Sequence, residues 1–375
     1  MPIFRKKRIF LDYASATPIL PRVRRVMRRY WSHDFHNPSA IYEEGRKANQ
    51  AVGQARETVA KILGVKKTDI IFTSGGTEAN NLALLGAYEK ASEKIKHPHL
   101  VISSLEHSSI SRTAEEIVRR GGELSVVEVD EAGQVSPDAV RDALRPNTFL
   151  VSVTLAHHET GALEPLARIG RVLKEREKSH EQSILLHTDA SQAPNYIDIT
   201  PARYHVDLLS LDGSKIYGPR GIGVLVARRS QLLRPMIQGG KQEHGLRAGT
   251  ENTALIVGFA RALAQVTQDR ESEYRRVLDL KKYFIEELKT HLPHIEIIST
   301  IENALPNMIA IRLSQGILSE MVVLDLDNRG VAVSAGSACL NLESGADESL
   351  IRISLGRETR KSDVRRAVKI LAQVL

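Results

Sequence analysis

The sequence predicts an α/β protein: a large unit, residues 15–255, on a mostly parallel sheet flanked by helices, and a smaller α+β unit from residues 1–14 and 256–375. Three observations carry this. Short apolar runs alternate with segments of helical spacing, as parallel strands joined by crossover helices require. The residues able to do chemistry fall just past the carboxyl ends of those runs, where open α/β sheets gather their functional groups. A long helical stretch, Asn252 to about Leu292, then opens a region of shorter strands and helices, which puts the boundary near residue 255.

Taken in order, LDYASATP (Leu11–Pro18) reads as a small extended element and a turn. Arg22–Trp31 reads as a helix, and HNPSA (His36–Ala40) as a loop. Glu43–Leu63 has helical spacing and ends at Gly64 in the manner of a C-cap. DIIFT (69–73) is a strand, followed by the glycine turn SGGTEANN and a helix. LVIS (100–103), ELSVVEV (123–129), TFLVSVT (148–154) and SILLHTDASQ (183–192) are further strands. Between them lie helices at Ser109–Arg119, after Ser136-Pro137-Asp138 (a cap residue, proline at the first position, an acid in the first turn) and at Glu164–Lys178. Beyond the long helix, IEIIS, MIAIRL, VAVSA and IRISL read as strands, with helices at Ser319–Asn328 and Ser362–Leu375.

Composition excludes several classes. No apolar run is long enough to span a bilayer, and the start, MPIFRKKRIF, lacks the apolar core of a signal peptide. The single cysteine, Cys339, rules out an internal disulfide framework and suits a reducing cytosol, so a cytoplasmic protein is expected. That thiol is either a small inert residue or a reactive group. The net charge of +7 is concentrated in Arg5–Arg8 and in Arg22, Arg24, Arg25, Arg28 and Arg29. A solvated helix face accounts for the second cluster, with an acidic partner or an RNA contact as the alternative. The aromatic residues form no base-stacking platform, so neither nucleic acid nor a membrane is an expected partner.

The stretch DLLSLDGSKIYGPRGIG (Asp207–Gly223) organises the rest. A buried strand runs into a turn of glycines and Pro219 that carries one lysine, Lys215. A lysine held there, partly desolvated, has a lowered pKa and condenses with an aldehyde; the alternative is a solvated turn lysine. Gly75, Gly76 and Thr77, between a strand and a helix N-terminus, offer backbone N–H groups to a phosphate, unless they are a simple helix cap. A reactive lysine, a buried acid, a phosphate-binding loop and a ring-stacking histidine are together what pyridoxal phosphate needs.

At this point the sequence closely resembles the class V aminotransferase superfamily, and within it the cysteine desulfurases of the NifS/IscS-like branch. The motifs LDYASATP, HNPSA, FTSGGTEANN, EHSS, HTDASQ, GSKIYGPRGIG, EHGLRAGTEN, SAGSAC and IRISLGR follow the family's order over almost the whole chain. The resemblance implies a fold-type I pyridoxal-phosphate transferase with a seven-stranded type of sheet. It implies an L-cysteine desulfurase that yields L-alanine and a persulfide on Cys339, for iron–sulfur cluster assembly or tRNA thiolation. Lys215 would bind the cofactor aldehyde, Asp189 would pair with the pyridinium nitrogen, and Gln192 would bond the phenolic oxygen. His107 would stack on the ring and counts with Lys215 and Cys339 as catalytic. Gly76 and Thr77 would hold the phosphate, joined by Thr250 of a second subunit, which implies a homodimer. Arg352 would clamp the substrate carboxylate, with Asn37 nearby. A sulfur-acceptor protein is the implied partner, and no metal is expected.

The chain departs from the family at four places. Where the family has Ser-x-His before the lysine, this chain has Asp212 and Ser214, both expected near the cofactor phosphate. A carboxylate repels a phosphate dianion, so Asp212 is expected to turn away or to pair with an arginine. The family's Asn-Asn-Glu reads His157-His158-Glu159, with His158 where an asparagine contacts cofactor or substrate. Tyr42 replaces a histidine, and the segment from Cys339 to Arg352 is shorter than in this branch, which restricts the reach of the thiol. Other readings are a selenocysteine lyase or an aminotransferase of the same superfamily, or a non-catalytic scaffold in a sulfur-transfer complex.

Overall fold

A computed structural model describes residues 8–130, 133–180, 183–336 and 349–375. In chain order the elements are β1 (Ile9–Phe10), α1 (Pro21–Ser32), α2 (Glu43–Leu63), β2 (Ile70–Thr73), α3 (Gly76–Ala91), β3 (His99–Ser103), α4 (Ser108–Arg119), β4 (Glu123–Val127), α5 (Pro137–Ala143) and β5 (Thr148–Ser152). They continue with α6 (Leu166–His180), β6 (Leu185–Asp189), α7 (Pro201–Tyr204), β7 (Leu208–Asp212), β8 (Gly223–Ala227) and α8 (Thr253–His291). Last come β9 (Glu296–Ile297), β10 (Met308–Arg312), α9 (Ser319–Asn328), β11 (Val331–Ala332), β12 (Ser334–Ala335), β13 (Leu350–Ser354) and α10 (Lys361–Val374).

Among the described residues, seven strands form one sheet in the order β2-β8-β7-β6-β5-β3-β4. β8 runs antiparallel to both β2 and β7, and every other neighbouring pair is parallel. The strand β8 was not anticipated, because GVLVA follows a run of glycines that reads as turn. Its five residues are all buried, and burial on both faces supports a strand without the alternation that marks a half-exposed one. Successive residues of one strand enter opposite apolar clusters: Leu208 and Leu225 lie on one face, and Leu209 and Val226 on the other.

Local signals explain where elements end. Gly64 stops α2 in the left-handed region at φ 65°, where glycine carries no steric penalty. Ser136 caps α5 by accepting from Ala139 N, with Pro137 at the first position. Among the described residues no helix is long and apolar enough to cross a membrane.

A second apolar cluster holds the remaining elements. β12, β13, β10 and β9 form a sheet in that order, with the pairs antiparallel. The N-terminal segment is part of this cluster: Ile9 pairs with Val331, and Ile9 and Leu11 are buried in it. The 39-residue helix α8 serves both clusters. Ile256, Phe259, Leu263 and Val266 pack in the first, and Val277, Leu280, Phe284 and Leu288 in the second. The chain thus leaves the second cluster after Ala14 and enters the first directly above the carboxyl ends of the parallel strands.

One buried ion pair ties the glycine-rich loop after β8 to the sheet. Arg56 of α2 donates from Nη1 and Nη2 to the two oxygens of Glu243, both at 2.7 Å, and Phe72 N donates to the same carboxylate at 2.9 Å. Glu243 is only 5% exposed. Arg56→Ala leaves that carboxylate buried without its counter-charge, so it is expected to destabilise the fold by about 3–5 kcal/mol. Urea unfolding measures the loss, and an unchanged midpoint contradicts the expectation.

Candidate active site

The carboxyl ends of β2, β3, β5, β6 and β7 surround a cavity of about 490 Å³, within the roughly 300–1,000 Å³ usual for small-molecule sites. The turn after β2 supplies Gly76 and Thr77, the one after β3 supplies His107, and the one after β5 supplies His158. β6 ends in Asp189 with Gln192 just beyond, and the turn after β7 carries Asp212, Ser214 and Lys215. Arg352 of β13 and Ser334 of β12 close the cavity from the second cluster.

Lys215 Nζ donates to the carbonyls of Ala14 and Ser15 at 2.8 and 2.6 Å. Burial lowers its pKa, opposed chiefly by the carboxylate of Asp212. A larger share of neutral amine follows, which is what attack on an aldehyde requires. Asp189 is fixed at both oxygens: Asn80 Nδ2 donates to Oδ2 at 2.8 Å, and Ser191 N donates to Oδ1 at 2.9 Å. Asn80 also donates to Ser109 Oγ at 2.9 Å and so links α3, α4 and β6. His107 caps α4, its Nδ1 accepting from Ser109 N at 3.1 Å. In the neutral ring the proton then sits on Nε2.

His158 meets His107 edge to face, with centroids 5.8 Å apart. Burial, reinforced by His157, His107, Arg352 and Lys215, holds its pKa well below the usual 6.5, so it enters neutral. Arg352 donates from Nη2 to Asp12 Oδ1 at 3.0 Å, to Ser15 Oγ at 2.7 Å and to Ser334 Oγ at 3.2 Å, and from Nη1 to His158 O at 3.1 Å. Its Nε is buried without a partner among the described residues, a donor left over for a ligand.

Asp212 corrects an expectation. It neither turns away nor pairs with an arginine. Its Oδ2 accepts from Gly76 N at 2.9 Å, and its Oδ1 accepts from Ser214 N at 2.7 Å and Ser214 Oγ at 2.6 Å. The N-terminus of α3 attracts an anion, and the nearest one is this side chain.

Asn37 is not brought to the cavity, and Thr250, expected there from a second subunit, does not line this chain's own. Asn37 Oδ1 accepts from Ser39 N at 2.8 Å, which ties the side chain into its own turn. Thr250 lies with Asn37 in a separate cleft that also holds Trp31 and His36. Cys339 lies outside the described residues. Asn80, Asp12, Ser15 and Ser334 were not singled out from the sequence. An asparagine at the start of the second turn of a largely apolar helix was the available signal for the first; small polar residues and a lone acid near the N-terminus offered none for the others.

Beneath the cavity, Glu106 accepts at Oε1 from Ser103 Oγ and Thr154 N, each at 2.7 Å. Burial pushes its pKa up from 4.5 to about 8, helped by Asp189 and Glu164 and opposed by these two hydrogen bonds. The folded state therefore holds a proton that the unfolded chain releases near 4.5, so stability falls as pH rises from about 4.5 towards 8. Glu106→Gln is expected to flatten this decline in a series of thermal melts. An equally steep decline in the variant contradicts the assignment.

The cavity fits the ring of pyridoxal phosphate: a desolvated lysine, an acid fixed at both oxygens, and the neutral imidazole of His158 stand around a space of suitable size. At the phosphate end the N-terminus of α3 and the buried hydroxyl of Ser191, unpartnered among the described residues, fit an anion, while Asp212 does not.

A parallel sheet with a lysine past one strand, an acid at the end of its neighbour and a glycine turn opening a helix defines the class of fold-type I transferases. The comparisons with known proteins go further. The profile of the class-V aminotransferases matches residues 9–367. A cysteine desulfurase IscS of Dictyoglomus turgidum is 35% identical over 99% of this chain and 95% of its own length. A putative cysteine desulfurase IscS of Bacillus subtilis is also 35% identical, over 98% of this chain and 99% of its own. Among solved structures, a NifS-like protein superposes with a TM-score of 0.91 at 28% identity, covering 98% of this chain and 99% of its own. SspA in complex with cysteine superposes at 0.78 with 32% identity, covering 92% and 98%. The chain belongs to the class-V aminotransferase family, in its cysteine desulfurase branch.

Proposed function

We propose that the protein is a pyridoxal-phosphate-dependent L-cysteine desulfurase. The single observation that carries this is the convergence of Lys215, Asp189, His107 and Arg352 on one cavity. When bound, the cofactor supplies an electron sink for the substrate's α-carbon.

The chain's own residues do the rest. Asp189 keeps a proton on the ring nitrogen, and Asn80 and Ser191 N hold that carboxylate in place. Arg352 receives the substrate carboxylate, with Asp12 holding the guanidinium. Lys215, as a neutral amine, takes and returns protons at the substrate. Cys339 attacks the substrate sulfur as a thiolate. A sulfur–sulfur bond forms and the substrate's carbon–sulfur bond breaks. Its electron pair, with a proton, ends on the β-carbon, giving L-alanine and a persulfide on Cys339.

The sulfur then passes to an acceptor protein, in iron–sulfur cluster assembly or tRNA thiolation. The working form is a cytoplasmic homodimer. What supports the dimer is the cleft shared by Asn37 and Thr250, beside the exposed Trp31, Phe35 and Tyr42. In this reading Thr250, which lines that cleft, would reach the phosphate site of a second copy.

Incubating the cofactor-loaded protein with L-cysteine tests the activity. Equal amounts of alanine and thiol-releasable sulfur are expected. Consumption of cysteine that requires a keto-acid co-substrate, with no sulfur released, identifies an aminotransferase instead.

A further inference from the structure

The anion site at the start of α3 is already engaged by the chain's own carboxylate. Asp212 takes the N–H of Gly76 and both the N–H and the hydroxyl of Ser214, so three donors around the turn point at one side chain. The space is narrow: a Cβ placed on Gly76 would stand 3.3 Å from Asp212 Cβ and 3.4 Å from Ser191 Oγ. Ser191 is 8% exposed, and its hydroxyl oxygen is buried with no partner among the described residues. The site thus offers a donor that Asp212 leaves unused, as expected of a cup shaped for an anion larger than a carboxylate.

Charge points the same way. Asp189 and Asp212 line the cavity with Lys215, and the guanidinium of Arg352 is already paired with Asp12, so cations do not outnumber the carboxylates there. A phosphate dianion arriving there meets like charge at hydrogen-bond range. Unphosphorylated pyridoxal, with the same aldehyde and ring, does not.

We infer that Asp212 is a resident anion in the cofactor's phosphate cup, which the phosphate has to displace, so that this chain discriminates weakly between pyridoxal phosphate and pyridoxal. The inference rests on the cofactor reading above. Asp212 is here a specificity-determining residue, and its substitution shifts the balance between the two ligands.

Apo protein, wild type, Asp212→Asn and Asp212→Ser, is titrated with pyridoxal phosphate and with pyridoxal, following the visible absorbance. Circular dichroism and the pyridoxal titration report whether each variant is folded. Removing the charge is expected to tighten pyridoxal phosphate about tenfold or more and to leave pyridoxal within about threefold, the direction set by removal of like-charge repulsion. Should both ligands keep their wild-type ratio in the two variants, Asp212 is only a turn cap and the inference falls. A loss of both ligands in equal measure overturns it in the same way. If no protein, wild type included, develops a band with either aldehyde, the cofactor reading itself fails and carries this inference down with it.

Discussion

Lys215→Ala is expected to lower alanine formation from L-cysteine roughly 10²- to 10⁴-fold, the span that a positioned proton-transfer group supplies. The Schiff-base band of the cofactor-loaded protein should disappear with it. The expectation follows from the environment of the amine. It is drawn into the cavity by the carbonyls of Ala14 and Ser15, and burial lowers its pKa towards the range where a neutral amine is available. The nearby guanidinium of Arg352 cannot take its place, being engaged by Asp12. Melting curves should change little, since among the described residues the amine bonds only to two backbone carbonyls and forms no ion pair. Undiminished activity in Lys215→Ala would place the chemistry on another residue.

Cys339→Ser is expected to abolish sulfur release by several orders of magnitude while leaving the cofactor's absorbance intact, because a hydroxyl is not ionised at neutral pH and does not carry persulfide sulfur. Chain connectivity makes the assignment reasonable. Cys339 follows Ala335, which lines the cavity, by only four residues in the sequence. Labelling the thiol after incubation with cysteine gives a direct readout: a reducible persulfide on the wild-type protein and none on the variant. If alanine still forms at the wild-type rate, the thiol is not the nucleophile, and a lyase or aminotransferase acting without it is the better reading.

Much of the site was readable without coordinates because its chemistry is local. Lys215 sits in a turn whose glycines and proline mark it. Gly76 and Thr77 announce a helix start after a strand. His107 directly precedes a helix, which is why it serves as both cap and cavity wall. Each of these depends on residues a few positions away, and a strand's carboxyl end is determined by where the strand stops. β8 escaped for the opposite reason: a strand buried on both faces has no alternation, and the glycines before it conceal its start.

The sequence by itself determined the α/β architecture, the order of the motifs, the lysine, acid and histidine of the cavity, and the family. Only the tertiary structure decided which donors each charged group meets. Arg352 and Asp12 lie 340 residues apart and become partners because β1 joins the C-terminal strands. Asn80 reaches Asp189 because α3 packs over β6. Asp212, expected to avoid the phosphate end, seats itself there, because Gly76 N and Ser214 offer it three hydrogen bonds and the described structure offers it no arginine. A charged side chain goes where its hydrogen bonds are satisfied at least desolvation cost, and that is settled by neighbours brought from distant parts of the chain.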